Sequence, residues 1–71
     1  MKTIEGFDKR LKHAIKKRGM TYRQVCIMTG ISYTCIDGYL HKGMMPCCLY
    51  LVEIAKALHV STDYLLGLTE E

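Results

Sequence analysis

Apolar positions recur along this chain with a helical period and are separated by short polar or glycine-containing breaks. From about Gly6 to Arg18, the residues Phe7, Leu11, Ala14 and Ile15 share one stripe while the lysines fall elsewhere, which predicts an amphipathic helix. Gly19 follows where a left-handed residue commonly ends a helix. Thr21, with Gln24 three residues on, is a capping-box pattern that opens a second helix, and Gly30 stops it. Ser32 caps a third helix from about Tyr33 to His41, with Gly43 at its exit. Pro46 precedes a fourth, in which Cys48, Leu51, Val52, Ala55 and Leu58 stand at core spacing. Ser61 caps a short fifth helix, Thr62 to Leu66, closed by Gly67. Nothing reads as a strand, a repeat or low complexity. The predicted fold class is all-α, a compact five-helix domain over residues 1–71 with its core at about 7–68.

The stretch Tyr22 to Leu40 narrows this reading. Counting from Tyr22, a small residue (Cys26) falls at the fifth position, Gly30 at the ninth and Ile36 at the fifteenth. A small side chain lets two helices approach, glycine supplies a left-handed turn, and a β-branched residue fills the angle between them. That is the spacing of a helix-turn-helix at helices 2 and 3, whose usual task is to place its second helix in the DNA major groove.

Charge adds direction. Residues 1–35 hold eight Lys and Arg against two acids, +6, whereas residues 36–71 hold two against five, −3, recovering the overall +3. Such asymmetry fits one polyanion-facing end, although a charge run is by itself usually a solvated face. Met1-Lys2-Thr3 leads into mixed charge without an apolar signal region, and no apolar run approaches bilayer-spanning length, so a cytoplasmic chain with no membrane partner is expected. Of the four cysteines, Cys26 and Cys35 lie at apolar helix positions and Cys47 and Cys48 are adjacent, which suits reduced thiols better than a disulfide framework. A thiol switch at Cys47 and Cys48 is the alternative use of that pair. His13, His41 and His59 have no metal-ligand spacing with these cysteines, and no metal or cofactor is implied.

Beyond these patterns, the chain resembles the Cro/C1-type (lambda-repressor-like, XRE family) DNA-binding domains of phage and bacterial regulators. The resemblance runs from about Phe7 to Leu68. It is carried by Arg10-Leu11-Lys12, Lys17-Arg18-Gly19-Met20-Thr21, Gly30-Ile31-Ser32, Tyr39-Leu40 with Met45-Pro46, and Ile54-Ala55-Lys56-Ala57-Leu58. The tail Val60-Ser61-Thr62-Asp63-Tyr64-Leu65-Leu66-Gly67 completes it. The resemblance implies a transcriptional regulator, repressor-like, that binds a pseudo-palindromic operator in double-stranded DNA as a homodimer. By position it implies Tyr33, Thr34, Asp37 and Gly38 facing the bases, and Tyr22, Arg23, Ser32 and Lys42 on phosphates. It likewise implies a dimer surface of Val60, Tyr64, Leu65 and Leu68. The chain departs from the family pattern at Tyr22, where Gln is typical, and at Gly38, inside the recognition helix. It departs again at Ile15 and Leu40, which replace a buried ion pair by two hydrophobes.

A rival reading keeps the fold and drops the DNA. Met44, Met45, Leu49 and Tyr50 form an apolar surplus that, if exposed together, would suit a protein partner, making the chain an antirepressor or accessory subunit. Repacking over Tyr39 is the bland account of the same residues. Catalysis is not expected: no nucleophile–base pair, paired acids or glycine-rich phosphate loop is present.

Overall fold

The computed structural model describes residues 5–69, which form α1 (Phe7–Arg18), α2 (Tyr22–Thr29), α3 (Tyr33–His41), α4 (Cys48–Leu58) and α5 (Thr62–Leu66) and no strand. Local chemistry sets the ends of these helices. In α2 the Thr21 hydroxyl accepts from the Gln24 amide at 3.1 Å and the Gln24 side chain accepts from the Thr21 amide at 2.8 Å, a reciprocal cap. Ser32 and Ser61 accept from the amides of Cys35 and Tyr64 at the starts of α3 and α5. At the end of α4 the left-handed cap is His59, with φ 56°, rather than a glycine. Its conformation carries the modest strain that a side chain meets there.

The helices close around one core. α1 packs on α3, α4 and α5, while α2 packs on α3 and α4, and α4 also meets α5. Phe7, Leu11, Ala14 and Ile15 of α1 meet Ile36, Tyr39 and Leu40 of α3, Ile54 and Leu58 of α4, and Leu65 of α5 in a single buried cluster. Each fully buried Leu or Ile contributes roughly 1.5–3 kcal/mol, so a body measuring 28 × 23 × 19 Å depends on nearly all of them. Ile15 and Leu40 are both buried. No described helix is long and apolar enough to cross a membrane.

Helix α4 is rotated from the expected phase. Its buried residues are Ile54, Ala55, Ala57 and Leu58, with Leu51 half-buried, whereas Cys48 and Val52 are exposed. The core stripe is 51, 54, 55 and 58, the i, i+3, i+4, i+7 pattern of one helix face.

Arg10 ties the two ends of the fold. Its Nε donates to the Leu65 carbonyl at 3.0 Å and its Nη2 to the Glu5 carbonyl at 3.0 Å, so one guanidinium satisfies acceptors at both extremities of the described chain.

Candidate functional site

The entrance to α2, the turn after it and the first turn of α3 present Arg23, Gln24, Ser32, Tyr33 and Thr34 at the surface. Three residues join these helices, and the chain reverses at Gly30, whose φ is 76° and whose amide donates to the Cys26 carbonyl at 2.8 Å. Thr29 braces the same turn. Its hydroxyl donates to the Val25 carbonyl at 2.7 Å and accepts from the Ile31 amide at 3.3 Å. Val25, Ile31 and Ile36 are buried beneath the turn and fix the angle between the helices.

A surface groove of about 660 Å³ lies between the two helices, lined by Tyr22, Arg23, Cys26, Ile27 and Tyr33. Thus the structure brings together three residues predicted from the sequence, Tyr22 and Arg23 at the start of α2 and Tyr33 at the start of α3. At α2 the capping box consumes the Gln24 amide, and the amides of Tyr22 and Arg23 have no acceptor within the helix. Arg23 stands beside these amides, so this end of α2 is electropositive. Tyr33 is 56% exposed and Thr34 is also exposed. Ser32 spends its hydroxyl on the α3 cap while remaining at the surface. In the groove wall, burial pushes the Cys26 thiol above its ordinary pKa, against smaller lowering by a backbone hydrogen bond and by Arg23. Burial thus favours the neutral thiol of Cys26 in the groove wall.

Further along α3 the arrangement differs from expectation. Asp37 is not a free acceptor. His41 Nδ1 sits 2.9 Å from its Oδ1 and Lys42 Nζ 3.8 Å from its Oδ2. Tyr22 meets the His41 ring edge-on at 6.3 Å, linking the start of α2 to the end of α3. Gly38, expected to face outward, is buried. Its carbonyl accepts from the amides of Lys42 and Met44, and the Met44 side chain covers its Cα. That folding-back of the loop is what removes Gly38 from the surface.

Two other expected surfaces are revised. In the proposed dimer surface Leu65 has no exposed area at all, because α5 turns it into the core, while Val60 and Tyr64 are half-buried and Leu68 is 74% exposed. In the apolar surplus Met45 packs against the core near Tyr39, leaving Met44, Leu49 and Tyr50 exposed. Two apolar residues to which the sequence assigned no role, Ile27 and Met28 of α2, are exposed by 74% and 59%. The Asp37–His41 pair was also unassigned, although its i, i+4 spacing on a helix was visible.

No family model, no curated protein and no solved structure matches this chain.

Proposed function

We propose that this chain is a small DNA-binding transcription regulator of the lambda-repressor-like kind. In this reading α2 and α3 act as a helix-turn-helix, with the first turn of α3 in the major groove of double-stranded DNA. The observation that carries it is the convergence of Arg23, Tyr22 and Tyr33 around one groove at the N-terminal ends of both helices. Residues 22–36, which include α2, its turn and the start of α3, contain one cation, Arg23, and no acid. A duplex phosphate is the ligand that such a surface attracts, through charge and through the unpaired amides of an α2 entrance. Tyr33 and Thr34 are then the base-edge readers, each able to hydrogen-bond, with Thr34 also suited to a thymine methyl. Lys42 stands at the far end of α3 as a backbone contact, and Asp37 holds Lys42 and His41 in place rather than reading a base. One module of this size reads few base pairs, so the regulator acts as a homodimer on a two-fold operator, with Val60, Tyr64 and Leu68 as the proposed contact.

Selection of bound duplexes from a random library, at low and at physiological salt, tests this. A two-fold-symmetric motif that survives physiological salt and disappears with Arg23→Ala is expected. Binding that is blind to sequence and vanishes with salt would instead favour the second reading, a protein-interaction module. The exposure of Met44, Leu49 and Tyr50 supports that alternative.

A further inference from the structure

The surface of α2 that faces away from the core carries a chemistry that DNA does not require. Ile27 forms a ridge between two depressions. One is the groove described above; the other, about 240 Å³, is lined by Arg18, Met20, Gln24, Ile27 and Met28. Ile27 and Met28 are among the most exposed apolar side chains of the molecule, at 74% and 59%. Contiguous apolar surface with a charged rim is the usual mark of a docking site. Met28 and Met20 are unbranched thioethers that adapt to an incoming shape.

The rim selects the occupant. Every charged side chain lining the two depressions is cationic, Arg18 on one side of Ile27 and Arg23 on the other. Neither arginine has an ion-pair partner among the described residues. A second copy of this chain is a poor fit. A two-fold axis through Ile27 would set Arg18 and Arg23 of one protomer against the same cations of the other. An extended segment is also a poor fit, because no strand exists among the described residues for it to pair with. A helix suits a ridge flanked by two depressions, since its residues at i and i+4 straddle the ridge while acids on either side reach the arginines.

We propose that the Ile27–Met28 face of α2 docks an acidic amphipathic helix from a partner protein. The partner's apolar stripe lies on Ile27, Met28 and Met20, and its carboxylates pair with Arg18 and Arg23. This inference does not rest on the DNA reading. Arg23 and the larger groove are shared by both, so a bound helix excludes duplex from the same entrance.

The test is methyl-resolved NMR of the whole chain with three synthetic peptides. The first is a helical peptide with leucines on one face and glutamates on the rest. The second has the same composition with the leucines spread around the helix, and the third is polyglutamate. The amphipathic peptide is expected to shift the methyl signals of Ile27, Met28 and Met20 saturably. Ile27→Ser, checked for folding by its melting curve, is expected to weaken that binding about tenfold, as loss of one buried apolar anchor implies. Val52→Ser, an exposed position on α4, is expected to leave it unchanged. Equal binding by polyglutamate or by the scrambled peptide would overturn the proposal, as would shifts centred on Leu49 and Val52, or no binding. Sedimentation of the free chain supplies another decisive result. A dimer abolished by Ile27→Ser would make a second copy the occupant and reject a foreign helix.

Discussion

The amide of Met44 donates to the Gly38 carbonyl at 3.1 Å, and the Met44 side chain folds over the bare face that Gly38 leaves on α3. A Cβ at position 38 would land on the thioether, within 3.4 Å of its Cγ. Glycine in a helix interior costs about 1 kcal/mol relative to alanine. Gly38→Ala is therefore expected to recover that amount only where Met44 has been removed. In a double-mutant cycle read by urea unfolding, the gain in a Met44→Ala background is about 1 kcal/mol, and in the native background distinctly less. Equal gains in both would show that Met44 does not press on this site.

Arg10 is a structural cation rather than one of a basic face. Arg10→Ala removes donors to the Leu65 and Glu5 carbonyls. It is expected to lower unfolding free energy by about 1–2 kcal/mol. Arg10→Lys is expected to fail to restore it, because an ammonium lacks the planar fork that reaches both acceptors. Full recovery with lysine would make the contribution one of charge alone.

Leu65 and Leu68 separate folding from association. Leu65 is wholly buried, so Leu65→Ala is expected to cost about 2–5 kcal/mol. Leu68 is exposed, and Leu68→Ala is expected to change stability by less than about 0.5 kcal/mol while weakening any dimer seen by sedimentation. A dimer indifferent to Leu68, Val60 and Tyr64 would place the contact elsewhere.

Tyr39 provides an alkaline limit. Burial, with smaller contributions from Cys35, Cys47 and Tyr50, pushes its phenol from 10.0 up to about 12. A raised folded-state pKa means the neutral form is favoured in the fold. The associated stability is complete below pH 10 and is lost as pH rises through about 12. The loss is on the order of 2 kcal/mol, and Tyr39→Phe should flatten it in denaturation curves recorded across that window. An unchanged alkaline slope in the phenylalanine variant would assign the loss to other groups.

The DNA proposal has a signed electrostatic consequence at Asp37. Asp37→Asn removes an anion beside Lys42 and His41. It is expected to tighten duplex binding several-fold at low salt, whereas Arg23→Ala lowers the salt slope by about 1. Opposite signs, or no change in either, would argue against phosphate contact at this end of the molecule.

The helix boundaries were legible because caps are local chemistry. Ser32 and Ser61 open α3 and α5 where their spacing to the next apolar run predicts, and the Thr21–Gln24 box opens α2. The phase of α4 was not legible. Cys48, Leu49, Tyr50, Leu51 and Val52 are apolar on every side, so periodicity could not select the stripe that the neighbouring helices bury. Met44 and Met45 lie in a loop with no period, and only packing separates the exposed one from the half-buried one. The Arg10 clamp leaves no pattern either, because its acceptors are main-chain carbonyls that every residue carries. At the candidate site, Tyr22, Arg23 and Tyr33 came from the family resemblance, and the structure adds that they line one groove. The apolar ridge at Ile27 was not legible, since an exposed isoleucine breaks no helix rule.

Gly6 and Gly67 both press on the Arg10 guanidinium, each placed so that a Cβ would come within 2.8 Å of one of its terminal nitrogens. The backbone at Gly6 and the backbone at Gly67 therefore lie within the span of a single side chain. One arginine thus holds together two stretches of backbone that are sixty-one residues apart in sequence, so a single side chain closes most of the fold into a loop.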